Sequence, residues 1–356
     1  MNENPIRLSS RVAFIGCAGV PNRYGGFEAF VEYCGPEIAS KVEEVFVTCD
    51  AGLYEDVSTI YKGMHRIFIN TPANGWQSIF HDLFAFFKVF KRSTHIVVLG
   101  VSGGVWFPFF RILCDILKKK LIVNVDGVEW RREKFSFFKR CVIWIFDRLA
   151  QIFSHVVIYD NVGLKDFLIN GGRRKSVFIA YSGDHVIRKT EEVVVRQGGL
   201  TICRIEPENN IEMLILGALQ AGLKNYKIVG NWNSSKYGIN IRNKYSAYPN
   251  LSLLDPIYDP MDLAKIREEC AVYLHGHSVG GTNPSLVEML FYDCRIICFD
   301  VIFNREAAKD AAEYFRDVDS LALEINATEK IIKNRSIIRE MYKSKFIANE
   351  YLKLLQ

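Results

Sequence analysis

The chain has 356 residues, 49% of them hydrophobic and 24% charged, with a formal net charge of +5. That length allows two domains with separate cores, and that apolar content excludes a disordered chain. Nine cysteines occur without a C-x-x-C pair, so buried thiols in a reducing cytosol are expected rather than a disulfide scaffold.

MNENPIRLSS lacks an apolar signal core. The most apolar window, HIVVLGVSGGVWFPFFRILCDIL, is broken by Gly103, Gly104, Pro108 and Arg111. Neither a signal peptide nor a membrane-spanning helix is expected.

RVAFIG reads as a buried strand, and EAFVEYCGPEIAS as a helix with Phe27, Phe30, Val31 and Cys34 on one face. A glycine-rich turn from strand to helix is a place where α/β proteins hold phosphate. Between Gly16 and Gly26, however, the spacing is not that of a dinucleotide fingerprint, which disfavours a nicotinamide or flavin enzyme. Strand-like runs follow in EEVFVTC, HRIFI, HIVVLG, KLIVNVDG, HVVIY and SVFIAY. After a more polar stretch at 179–199 come LTICRI, YKIVGN, LSLL, AVYLHG and RIICFD. Helical stretches such as PMDLAKIREEC and NPSLVEMLFYD separate them.

This alternation predicts an α/β fold of two doubly wound, Rossmann-like domains, their parallel sheets facing a central cleft. The expected boundaries are 1–182, 183–335, and a terminal helix at 336–356 that packs back on the first domain. Ligands are expected at the strand C-ends.

Three constellations stand at those ends. KLIVNVDG ends at Asp126, followed by Glu129; an acid there serves either a cleft or a loop cap. LTICRI ends at Arg204, before a helix opened by Pro207, Asn209 and Asn210. A cation beside a helix N-terminus suits an anion, although a surface arginine gives the same pattern.

AVYLHG leads into HSVGGTNPSLVEML. His275 and His277 alternate on a strand, but no third metal ligand is evident, so no metal site is expected. Gly280 and Gly281 bring backbone close to a ligand, and Thr282, Asn283 and Ser285 offer polar groups. Glu288, in the next helix, is either a ribose ligand or a solvated carboxylate.

Charge is unevenly spread. Residues 84–150 hold 13 Lys/Arg against 5 Asp/Glu, interleaved with aromatics in FAFFKVFKR, FPFFRILCDILKKK and WRREKFSFFKRCVIWIF. The pattern fits ordinary amphipathic helices, or a surface resting on anionic lipid. No nucleic-acid motif accompanies it, so nucleic acid is not expected as a partner.

Taken together, GVPNRYGGFEAFVE, VNVDGVEWRREKF, RIEPENNIEML, VGNWNSSKYG and YLHGHSVGGTNPSLVEML resemble the retaining family-4 glycosyltransferases of GT-B fold. They look most like the bacterial rhamnosyltransferase branch of polysaccharide assembly. These segments span residues 16–291. The resemblance implies a hexosyltransferase that needs no cofactor and no metal. Its donor would be a dTDP- or UDP-linked sugar, dTDP-L-rhamnose for this branch. Its acceptor would be a lipid-diphosphate-linked saccharide of capsule or O-antigen assembly. The protein would be cytoplasmic, peripheral on the inner face of the membrane.

Carried over by position, Arg204 would grip the diphosphate, and Asn209 stands where the family has a lysine. Glu288 matches the ribose ligand, whereas Gly280 replaces the first of two glutamates. Asn231, His277, Gly281, Thr282, Asn283 and Ser285 would complete the donor site. Tyr24, Gly25, Gly26, Glu28 and Glu129 would face the acceptor or diphosphate. Asp126 would orient the acceptor hydroxyl or take its proton. A sugar-nucleotide 2-epimerase shares this architecture and stays an alternative, and the two departures, Asn209 and Gly280, keep open a nucleotide-binding partner without activity.

Overall fold

The computed structural model describes residues 7–23, 25–132, 135–187, 194–327 and 334–356. The chain folds into two units. The first is Met1–Ser182 with Lys343–Gln356, and the second is Gly183–Tyr342.

Unit 1 is built on eight strands: β1 (Leu8–Ile15), β2 (Val42–Asp50), β3 (Ile60–Tyr61), β4 (Met64–Ile69), β5 (His95–Leu99), β6 (Lys120–Asn124), β7 (Val156–Tyr159) and β8 (Ser176–Phe178). They lie in the order β3-β4-β2-β1-β5-β6-β7-β8. All pairs are parallel except the β3–β4 hairpin. The interior strands are nearly continuous apolar runs because both faces are covered: Val12 to Ile15, Ile96 to Leu99 and Leu121 to Val123 are all buried. Helices α1 (Gly26–Ala39), α2 (Ser78–Phe90), α3 (Phe107–Ile116), α4 (Phe137–Phe153) and α5 (Asn170–Arg174) make the crossovers. The strand order reverses beside β1, so the glycine-rich loop after β1 sits at the switch point.

Unit 2 carries β9 (Gly199–Ile202), β10 (Tyr226–Val229), β11 (Leu251–Leu254), β12 (Val272–His275), β13 (Arg295–Phe299) and β14 (Glu313–Phe315). Their order is β11-β10-β9-β12-β13-β14, wholly parallel. Its helices are α6 (Ile211–Gln220), α7 (Lys236–Tyr245), α8 (Pro260–Glu268), α9 (Pro284–Met289), α10 (Ile302–Ala308), α11 (Val318–Asn326) and α12 (Ser336–Met341). A core of Leu214, Tyr226, Ile228, Trp232, Leu274 and Phe315 fills one face of the sheet. The order reverses between β9 and β12, which places the loops bearing Arg204 and His277 on either side of the switch point.

The last helix, α13 (Ser344–Leu354), belongs to unit 1, whereas α12 stays with unit 2. The single terminal helix expected over 336–356 is therefore two helices in two units. Tyr351 of α13 packs on Phe30 of α1 with ring centroids 4.5 Å apart. Ser10 donates to the Leu355 carbonyl at 2.6 Å. Burying a large apolar side chain of this kind contributes roughly 1.5–3 kcal/mol, so the chain end is a structural part of unit 1.

Candidate donor and acceptor sites

In unit 2 the two switch-point loops are tied together by side chains. Asn209 is buried; its Nδ2 donates to the Arg204 carbonyl at 2.7 Å, and its Oδ1 faces His277 Nδ1 at 2.8 Å. Since the Asn209 amide nitrogen is the donor to Arg204, its oxygen is the acceptor, and Nδ1 of His277 carries the proton. Asn210, at φ 50°, donates from Nδ2 to the Gly276 carbonyl at 2.8 Å. Ser278 donates through its backbone N–H and its hydroxyl to the Glu208 carbonyl, at 2.9 and 2.8 Å. Asn231 accepts from the Ile205 N–H at 2.9 Å and fixes the same loop from the β10 side.

Arg204 stands out from this frame. Its side chain is exposed and makes no hydrogen bond or ion pair with the described residues. Asn209, expected in the place of a phosphate-gripping lysine, spends its amide on the two loops instead. Burial raises the Tyr237 pKa against the pull of the nearby Glu212 N–H.

Gly280 has φ 132°, and a Cβ there would lie 3.1 Å from His277 Nε2. A glutamate at this position would meet both backbone strain and the imidazole, so the missing carboxylate is built into the loop's path. Asn283 caps α9, accepting from the Ser285 N–H at 3.0 Å, and Pro284 suits the first helical position. Thr282 is buried, and Gly281 is partly exposed beside it. The helix presents Glu288, whose two oxygens meet Arg267 Nη2 and His185 Nε2, the latter at 3.3 Å. Burial pushes the Glu288 pKa up, but Arg267 and His185 outweigh it and hold the carboxyl below its ordinary value.

The rings of the alternating histidines have centroids 6.1 Å apart. His275 is buried beside Tyr273, and burial holds its pKa well below the usual imidazole value. Among the described residues no group of three His, Cys, Asp or Glu is placed to hold a metal ion.

In unit 1, Asp126 follows β6 with φ 58°, a left-handed conformation that aspartate tolerates better than most residues. Its N–H donates to Asn124 Oδ1 at 3.1 Å, and its Oδ1 accepts from the Tyr181 hydroxyl at 3.3 Å. Asn124 in turn donates from Nδ2 to the Tyr351 hydroxyl oxygen at 3.3 Å. Burial, and next the neighbouring Glu129, raise the Asp126 pKa against the pull of Arg132, the Gly127 N–H and Tyr181. Glu129 itself is paired with Arg132 at 3.1 Å.

In the loop after β1, two glycines lie where no side chain fits. Gly16 has φ 85°, and a Cβ there would come within 2.6 Å of the Leu99 carbonyl oxygen. Gly19 has φ 109° and would strike Cys49. These glycines let the loop lie on neighbouring strands. Gly25 and Gly26 start α1, and a Cβ on Gly25 would make only ordinary contact with Glu28. Glu28, expected toward the acceptor, is instead buried and accepts from the Ala18 N–H at 2.6 Å. Its pKa is raised by burial despite that bond. Tyr24 lies outside the described residues.

Tyr181, Tyr351, Arg267 and His185 were not legible as site residues in the sequence. Only Arg267 left a trace: it lies three residues after the buried Ala264, on the inward side of α8.

The basic segment forms α3, α4 and the end of α2, with large apolar groups turned outward. Ile116 and Phe137 are 68% and 82% exposed. Phe84, Phe87, Phe109, Ile112, Phe138, Trp144 and Ile145 are exposed as well. No described helix is long and apolar enough to cross a membrane.

This arrangement is that of two Rossmann-like units, each with loops at a switch point of its sheet, and solved structures share it. The chain matches sucrose-phosphate synthase from Thermosynechococcus elongatus with TM-score 0.72 at 13% identity, covering 97% of this chain and 98% of that one. It matches Anabaena HepE, solved with UDP and glucose, with TM-score 0.70 at 14% identity over 98% and 99% of the two chains. The catalytic domain of starch synthase IV from Arabidopsis thaliana, bound to ADP and acarbose, gives TM-score 0.66 at 11% identity over 98% and 99%. The fold is therefore the GT-B fold of glycosyltransferases. The family described as "Domain of unknown function (DUF1972)" matches residues 9–184. No curated protein matches the chain.

Proposed function

We propose that this protein is a retaining glycosyltransferase. It moves a hexose, L-rhamnose from dTDP-L-rhamnose, onto a lipid-diphosphate-linked saccharide at an anionic membrane surface. The observation that carries the reading is Arg204, exposed at the switch point of unit 2 on a loop held by Asn209, Asn210 and Asn231. A guanidinium on a fixed loop at that place, without an ion pair among the described residues, suits a diphosphate. The matching fold of HepE, solved with UDP and glucose, supports a nucleotide-sugar donor. The choice of rhamnose rests on the sequence resemblance.

In this reading Arg204 binds the diphosphate, and Glu288 accepts from the ribose hydroxyls through lone pairs left over from Arg267 and His185. His277, Gly281, Thr282, Asn283 and Ser285 frame the sugar. The C1–oxygen bond to the diphosphate breaks as the acceptor oxygen bonds C1 on the same face, and the acceptor proton passes to the departing diphosphate oxygen. Arg204 stabilises the charge that grows there, which asks for no metal. Asp126, steadied by Tyr181, orients the acceptor hydroxyl; Glu129, Gly25, Gly26 and Tyr24 complete that side. The outward aromatics and the Lys/Arg excess of segment 84–150 support the lipid-facing location.

Calorimetric titration with dTDP and UDP tests the donor site. Micromolar to millimolar binding that Arg204→Ala weakens supports it. Binding of neither nucleotide to the folded protein contradicts it.

A further inference from the structure

We propose that a groove between the end of β4 and α2 in unit 1 binds the hydrocarbon chain of a lipid phosphate, with the phosphate on Lys88. The proposal rests on the lipid-linked acceptor reading above and gives that lipid a seat. The groove encloses about 390 Å³. Phe68 and Ile69 line it from the strand, Phe84 and Phe87 from the helix. Both helix rings are about half exposed, at 47% and 50%, although each has a large apolar area to hide.

The polar side is equally selective. Asn70, Thr71 and Lys88 supply it, so among the described residues that line the groove the one ionisable group is a cation, and no carboxylate opposes an anion. Lys91 and Arg92 follow on the same exposed end of α2. The apolar side runs on beyond the groove. The Phe87 ring meets Phe109 of α3 at 6.0 Å, and Phe109, Ile112 and Ile116 repeat at helical spacing, all exposed. A ligand that satisfies this surface has a long apolar chain and an anionic head. A nucleotide or a free sugar leaves the phenylalanines wet. An apolar peptide covers them but has no use for Lys88.

Farnesyl phosphate, farnesol and inorganic phosphate, each below its aggregation concentration, serve as probes in calorimetry. Farnesyl phosphate is expected to bind the wild-type protein, and inorganic phosphate alone is not. Phe84→Ser combined with Phe87→Ser should weaken farnesyl phosphate at least about tenfold. Lys88→Glu should weaken it about fivefold or more while leaving farnesol unchanged. All three positions are solvent-facing, and unfolding temperatures confirm the fold of each variant. Unchanged affinity in the double variant overturns the proposal, as does equal loss of farnesol and farnesyl phosphate in Lys88→Glu. A wild-type protein that binds dTDP but not farnesyl phosphate also overturns it and leaves the donor reading standing. One that binds farnesyl phosphate but no nucleotide keeps the groove and removes the transferase reading.

Discussion

Arg204 makes no side-chain hydrogen bond or ion pair among the described residues, so removing its guanidinium takes no such bond from the fold. A charge-assisted contact that strengthens as the diphosphate departs is worth on the order of 2–4 kcal/mol. Arg204→Ala should therefore lower turnover by roughly 30- to 1000-fold at an unchanged unfolding temperature. A loss below about threefold would remove Arg204 from the reaction. Asp82, buried on α2, makes the opposite kind of statement. Burial pushes its pKa to about 7, against the pull of the Gly103 N–H. In the unfolded chain it ionises near pH 4. The folded state thus keeps a proton that the unfolded state releases, and Asp82 costs stability progressively as pH rises from about 4 to about 7. The full cost is on the order of 4 kcal/mol at neutral pH and above. Asp82→Asn should raise the unfolding temperature at pH 8 and have little effect at pH 4. A shift of equal size at both pH values would contradict the buried acid.

At the scale of elements, a polar chain runs from the last helix to the candidate acceptor site: Tyr351 on α13, Asn124 at the end of β6, and the backbone and side chain of Asp126 with Tyr181. Tyr351→Phe removes the acceptor of the Asn124 amide. A neutral hydrogen bond of this kind is worth about 1 kcal/mol, so transfer should fall about fivefold. Nucleotide affinity, which the proposal assigns to unit 2, should not change. A variant that loses nucleotide affinity and keeps its rate would disprove the connection. None of this chain was legible in the sequence, because its partners lie 227 and 55 positions apart. The places of Asp126 and Arg204 just after β6 and β9 were legible, since each follows a mostly apolar run, LIVNV and LTIC. Glu28 was expected to face the acceptor, yet the preceding loop folds over the first turn of α1 and uses its carboxylate as a hydrogen-bond acceptor. The short strands β3 and β14 escaped because two and three residues carry no periodicity.

For the whole molecule, the long apolar strands made the two parallel sheets readable. The outward rings of α2, α3 and α4 were ambiguous until exposure was known. If that face rests on anionic lipid, each Lys or Arg near the surface contributes about 1 kcal/mol. Flotation with phosphatidylglycerol-containing vesicles should then weaken with rising salt and disappear on neutral vesicles. Binding indifferent to both would refute the membrane face.

Hexosyl transfer is read from its product. The protein is incubated with dTDP-L-rhamnose, UDP-glucose or UDP-N-acetylglucosamine and a lipid-diphosphate-linked saccharide, and the lipid product is analysed by mass and anomeric configuration. The expected product is the acceptor enlarged by one deoxyhexose, with the donor's anomeric configuration retained and Arg204→Ala nearly silent. An epimerised nucleotide sugar with the acceptor untouched, an inverted linkage, or no product from any donor with a protein that binds lipid and nucleotide would contradict it.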